Sequence, residues 1–245
     1  MPSAIRPSMT TYAFGDIHGC LEQLEKLVDR CLNETAGTST TFVFLGDYID
    51  RGPNSKCVVQ FLMDLQTRER RVKLICLVGN HEACAIKVAS GVLSNHHWTG
   101  IGGAATLHSY GVSRADQIPK LHLQWMTSLP AHFDDGLRLF VHAGIRPDRP
   151  IDRQQLDDLV WIREPFLSSE DYHGRLVVHG HTPTHDRLPD LRHNRLNLDT
   201  GAVYGGPLTA AVFNNTEMQP IRFLSQPGSD AARGLTADGN HKDLR

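Results

Sequence analysis

The 245-residue chain is 40% hydrophobic and 21% charged, enough apolar material for one soluble globular domain with a large core. Its 25 Lys and Arg against 27 Asp and Glu leave a net charge of -2, without the basic excess of a protein that wraps a phosphate backbone, so a nucleic-acid partner is not expected. No apolar run approaches the roughly 18 residues of a membrane span, and the first eleven residues lack the apolar stretch of an export signal. The five cysteines form no CxxC pair. Reduced thiols, no membrane partner and a cytoplasmic location are expected.

Residues 1–11 read as a flexible start. Residues 11–14, 41–45 and 72–78 are apolar runs rich in β-branched and aromatic side chains, and each leads into a polar loop: Gly15-Asp16-Ile17-His18-Gly19, Gly46-Asp47-Tyr48-Ile49-Asp50-Arg51-Gly52 and Gly79-Asn80-His81-Glu82. Between them, Leu21, Leu24, Leu27, Val28, Cys31 and Leu32, then Val58, Phe61, Leu62 and Leu65, repeat with the period of amphipathic helices. Asp16 and Asp47 stand 31 positions apart, the length of a βαβ unit, so a parallel sheet with its loops on one rim is predicted. Residues 89–119, rich in Gly, Ser and His, read as a partly helical insertion near that rim. Two further strand-then-loop units end in His142-Ala143-Gly144 and His179-Gly180-His181-Thr182. Short strands at 196–198, 208–213 and 221–224 suggest a second, more antiparallel sheet, and residues 226–245 are too polar to repay their ordering. The expected layout is one domain over 12–225 and a disordered tail.

The chain lacks a GxxxxGK phosphate cradle, a GxSxG elbow, a DxD pair, and a Cys followed six residues later by Arg. It does carry Asp16, His18, Asp47, Asn80, His142 and His181, each just after a predicted strand. Singly these have ordinary explanations: turn chemistry for Asp16 and His18, a helix cap for Asp47, a satisfied core position for either later His. Jointly, five loops at five strand ends favour a metal centre. The oxygen and imidazole donors, without thiolate, suit Mn²⁺, Fe or Zn²⁺, and six groups are too many for one ion.

In that order the five motifs resemble the metal-dependent serine/threonine phosphoprotein phosphatases, the PPP family of calcineurin-like metallophosphoesterases, and Trp161-Ile162-Arg163 is similar to their compact bacterial and phage branch. The resemblance runs from about Tyr12 to Phe213. It implies an α/β fold, a four-layer αββα sandwich with mixed sheets, and a dinuclear site at the strand C-terminal ends holding two divalent ions, often Mn²⁺. By the same resemblance Asp16 and His18 hold the first ion, Asp47 bridges, and Asn80, His142 and His181 hold the second.

Such a pair can acidify a bridging water and neutralise phosphoryl oxygens during in-line attack, with no covalent phosphoenzyme. Arg51 and Arg163, with Asn80, are candidates for gripping phosphate, because a guanidinium fork matches two phosphate oxygens; a surface ion pair with Glu164 or Asp158 is the ordinary alternative for Arg163. His81, with Asp50 beside it, is the candidate general acid, and Glu82 reads as an acidic first-turn residue. His96 and His97 read as surface, His179 as a strand-end residue, and Asp199-Thr200-Gly201 as a tight turn or a segment bordering the site.

The expected activity is therefore a serine/threonine protein phosphatase acting on a phosphoprotein or phosphopeptide. A symmetrical dinucleoside polyphosphate hydrolase on the same scaffold is the alternative. Asp50 and Glu82 weigh toward the phosphatase, because those hydrolases commonly carry a small residue and Asp there. A scaffold protein with a dead metal site is a second rival, opposed by Asp50, Arg51 and His81.

Overall fold

The computed structural model describes residues 9–35 and 39–228. Three strand–helix units come first: β1 (Met9–Phe14), α1 (Leu21–Glu34), β2 (Ser39–Phe44), α2 (Ser55–Arg68), β3 (Val72–Cys76) and α3 (Asn80–Ala89). The insertion follows as α4 (Asn95–Trp98), a kinked stretch Thr99–Gly103 with Gly102 at φ 120°, α5 (Ala104–Tyr110) and α6 (Lys120–Thr127). The second half holds β4 (His132–Asp134), β5 (Arg138–Val141), α7 (Leu156–Trp161), β6 (Leu176–His179), β7 (Asp190–Leu191), β8 (Arg195–Asn197), β9 (Leu208–Asn214) and β10 (Arg222–Gln226). No described helix is long and apolar enough to cross a membrane.

These strands form two five-stranded mixed sheets, ordered β10-β9-β1-β2-β3 and β4-β5-β6-β8-β7. Within them β1, β2 and β3 run parallel, as do β5, β6 and β8, while β9, β10, β4 and β7 pair antiparallel. The period of two assigns each face a different core. Tyr12, Phe14, Phe42, Phe44, Ala210 and Val212 pack under helices α1 and α2 with Leu24, Leu27, Val58 and Leu62. Ala13, Val43, Leu45, Ala211 and Phe213 instead meet Phe140, Leu176, Val178 and Leu196 between the sheets. Leu139, Val141 and Val177 face outward onto Leu159 of α7, Ile162 and Phe166. The result is the expected αββα sandwich.

Two expectations are corrected. The strands after 191 do not form a sheet of their own: β9 pairs with β1 through Tyr12 and Val212, whereas β8 joins β6 through Val178 and Leu196. Six consecutive buried residues in β9, Leu208 to Phe213, mark a strand covered on both faces, but a local pattern cannot name the partner. The domain also reaches beyond 12–225, because Met9, Thr10 and Thr11 pair with β2 and Gln226 pairs with Leu208. The rest of the expected flexible start, and of the tail beyond residue 228, lies outside the described residues.

Candidate metal centre

Each chemical group hangs from the loop after a parallel strand, where backbone hydrogen bonding to the neighbouring strand ends and side chains can converge. Loops from both sheets meet. Within one sheet the Gly180 N–H donates to the His142 carbonyl 2.8 Å away, within the other the Ile17 and His18 N–H groups donate to the Asp47 carbonyl at 3.1 and 2.7 Å, and the His142 ring bonds the Leu45 carbonyl across them at 2.9 Å. Among the described residues six non-glycine residues have positive φ, and five of them are His18, Asp47, Asp50, Arg51 and His181. Left-handed backbone costs about 1 kcal/mol or more per residue, so this strain is concentrated where the side chains must be aimed. Two glycines permit the approach. Gly46 has φ 108°, and a Cβ on it would lie 2.7 Å from the Gly79 backbone nitrogen; a Cβ on Gly180 would collide with Asp16 Oδ1.

Asp47 is the hub. Two triads share it, His18–Asp47–His81 and Asp47–His142–His181, each with ligand atoms within 4.8 Å of one another and all buried. His18 Nδ1 donates to the Ile49 carbonyl at 2.8 Å, so Nε2 carries no proton; it lies 3.2 Å from Asp47 Oδ2 and in contact with the Arg51 guanidinium. His142 Nδ1 donates to the Leu45 carbonyl at 2.9 Å, leaving its Nε2 bare, 2.9 Å from Asn80 Oδ1 and 3.3 Å from Asp47 Oδ1. His181 Nδ1 also meets Asn80 Oδ1 at 2.9 Å, and its Nε2 is buried without a partner.

Three lone pairs, from a carboxylate, an amide oxygen and a neutral imidazole, face one another around Asn80. They repel unless a cation lies among them, and atoms bound about 2.1 Å from one divalent ion stand about 3 Å apart. Burial pushes the His18 pKa down to about 4 and lowers those of His142 and His181, so these imidazoles stay neutral, as ligands must. Asp16 is raised well above the carboxylate range, first by burial and then by the Asp199 and Asp47 charges. Asp199 is pushed up to about 7, by burial and the Asp47 charge. Crowded acidic groups with neutral imidazoles fit a dinuclear divalent-metal site.

The candidate residues are not placed uniformly. Asp47, Asn80, His142 and His181 come together, and His18 faces Asp47. Asp16 belongs to neither triad; its carboxylate accepts from the His181 backbone N–H at 3.1 and 3.2 Å. His81 lies in the first triad, with Nε2 3.9 Å from Asp47 Oδ2, but its Nδ1 is held by Asp50 Oδ2 at 2.6 Å. Burial opposes an imidazolium there, yet the Asp47 charge and the Asp50 bond outweigh it, so the His81 pKa is raised. That separates it from the other three histidines.

Arg51 reaches His18 Nε2 with its guanidinium. Arg163 is exposed, and its charge acts on His181 and Asp199. The ion pairs weighed for it are taken elsewhere: Asp158 pairs with Arg146 and Arg149, and Glu164 accepts from Ser168.

Sequence reading missed two supports. Asp50 Oδ2 also accepts from Trp98 Nε1 at 2.7 Å, and its Oδ1 accepts from Thr106 Oγ1 at 2.6 Å, so the insertion fixes the partner of His81. A Trp 48 positions away carries no local signal of this contact. Glu82 is fully buried and accepts the backbone N–H groups of Asp47, Tyr48, Ile49 and Gly79 at 2.8–3.2 Å. Its place in the first helical turn hinted only at the Gly79 bond.

The calcineurin-like phosphoesterase family model matches residues 9–215. The chain belongs to that family. Among its relatives, the asymmetrical bis(5'-nucleosyl)-tetraphosphatase PrpE of Bacillus thuringiensis (strain Al Hakam) is 28% identical, over 83% of this family member and 90% of the relative. The symmetrical bis(5'-nucleosyl)-tetraphosphatase of Methylobacillus flagellatus is 30% identical over 80% and 64%. A solved structure named as a candidate diadenosine tetraphosphatase aligns with a TM-score of 0.68 at 25% identity, covering 92% of this chain and all of that one.

These relatives overturn the placement in the PPP branch. With it go the serine/threonine protein phosphatase activity and the phosphoprotein or phosphopeptide partner. The physical reason is plain: Asp50 and Glu82, which weighed toward that branch, hold His81 and the Asp47 loop, work that any phosphoryl substrate requires. Neither residue reports the leaving group.

Proposed function

We propose that this chain is a metal-dependent hydrolase of dinucleoside polyphosphates. The observation that carries the reading is the near end-to-end correspondence with PrpE, whose name is that of a bis(5'-nucleosyl)-tetraphosphatase, over 90% of its length. The diadenosine tetraphosphatase candidate, matched over its whole chain, points the same way.

Mn²⁺ is the proposed ion, chosen from the Mn²⁺, Fe and Zn²⁺ that a nitrogen and oxygen donor set accepts. Asp16, His18, Asp47, Asn80, His142 and His181 are the proposed ligands. Bound there, the ions would supply Lewis acidity at the phosphoryl oxygens and lower the pKa of water. The protein's own part is positional. Arg51 and Arg163, with Asn80, would grip the phosphate chain, a longer and more highly charged target than a phosphoserine. His81, its Nδ1 fixed by Asp50, would hold a proton at Nε2 for the departing phosphate oxygen. Five unpaired cysteines agree with a cytoplasmic location.

The test is turnover of diadenosine tetraphosphate against a phosphoserine peptide, both with Mn²⁺. A kcat/KM at least about a hundredfold higher for the dinucleotide is expected; faster dephosphorylation of the peptide would refute the reading.

A further inference from the structure

Four large aromatic side chains are exposed among the described residues: Trp161, Tyr172, Tyr204 and Phe223. Two of them border the metal centre, Trp161 directly at His181 and Tyr204 by way of Arg51. Trp161, 38% exposed at the end of α7, sets its ring 6.0 Å from the His181 ring, with the planes at 86°. Tyr204, 43% exposed in the turn after Gly201, lies 5.7 Å below the Arg51 guanidinium, and Arg51 in turn reaches His18. Trp161 therefore adjoins the triad that contains His181, and Tyr204 adjoins the triad that contains His18.

More than a third of each residue is open to solvent, which is unusual beside a centre built of buried polar groups. Trp and Tyr faces stack on nucleobases without regard to sequence, and alanine in their place weakens binding by about five- to a hundredfold per base. A dinucleoside polyphosphate carries a base at each end of a flexible anionic chain. A chain gripped by Arg51 and Arg163 would bring one end to Tyr204, which lies against Arg51, and the other to Trp161, two residues before Arg163 in sequence.

We propose that Trp161 and Tyr204 are the two base-stacking walls of the site, each holding one nucleobase of a dinucleoside polyphosphate whose phosphates lie over the metal centre. This deepens the hydrolase reading above and rests on it. It places substrate selection in two rim residues rather than in the catalytic groups, which serve any phosphoester.

The test is competition against p-nitrophenyl phosphate turnover in excess Mn²⁺, using diadenosine tetraphosphate and base-free inorganic tetrapolyphosphate as competitors. In the unaltered protein the dinucleotide is expected to have the lower inhibition constant. Trp161→Ala and Tyr204→Ala should each shrink the ratio of the two constants by about tenfold, and Trp161→Phe and Tyr204→Phe, which keep a ring face, should recover most of it. If both competitors weaken together, if neither changes, or if the unaltered protein does not prefer the dinucleotide, the walls are refuted. A separate assay of mononucleotide release from diadenosine tetraphosphate reports on the hydrolase reading itself. Binding that follows the expected ratio without cleavage would remove that reading and leave the base walls standing.

Discussion

His81 is where geometry and electrostatics pull apart. Its imidazole sits in a triad of potential ligands, yet Asp50 occupies its Nδ1 and its pKa moves opposite to those of His18, His142 and His181. Treated as a proton donor, it predicts that His81→Asn lowers kcat by about 10²–10⁴-fold while the purified protein keeps both ions in elemental analysis. Loss of an ion would make it a ligand instead. Glu82 offers a second residue-scale test. Its carboxylate satisfies four backbone donors in the loops that carry Asp47 and Asn80, and charge-assisted bonds of this kind contribute about 1.5–3 kcal/mol each. Glu82→Gln should lower the unfolding free energy by about 2 kcal/mol or more in urea titration and weaken Mn²⁺ affinity by about tenfold; unchanged stability would contradict this anchoring role.

Among the elements, the insertion does unexpected work. Composition marked 89–119 as partly helical and near the rim, and α4 and α5 bear this out. Its purpose was hidden, because Trp98 and Thr106 reach Asp50 across 48 and 56 positions and no periodic pattern encodes such a contact. Trp98→Phe keeps a ring in the pocket and removes one donor to Asp50. The expected result is a kcat about tenfold lower with a smaller change in KM, since the bond orients the acid pair rather than the substrate. An equal kcat would show that Thr106, with Ser55 Oγ accepting the Asp50 N–H at 3.1 Å, suffices to hold the loop. β9 teaches a similar lesson: its burial was legible as an apolar run, but its place beside β1 was not, because pairing partners are set by the whole sandwich.

For the molecule as a whole, the loops that converge on Asp47 were readable because each ends a strand, and the strained left-handed positions fall among them. The meeting of loops from two different sheets followed only from the family resemblance, since periodicity alone pointed to one shared rim. Substrate class was legible only as a choice between two readings, and the relatives favour the dinucleoside polyphosphate alternative over the preferred phosphoprotein. Those loops, with Asp50, His81 and Glu82, define chemistry common to many phosphoesters, whereas choice of ester falls to the exposed rim residues Trp161 and Tyr204, neither of which its local sequence marks as a base contact. What unites the account is Asp47, the one carboxylate common to both triads. Elemental analysis after dialysis against Mn²⁺ tests it directly. The expected result is about two ions per chain in the unaltered protein and well below one in Asp47→Ala; two ions retained without Asp47, or only one with it, would contradict a centre bridged by that residue.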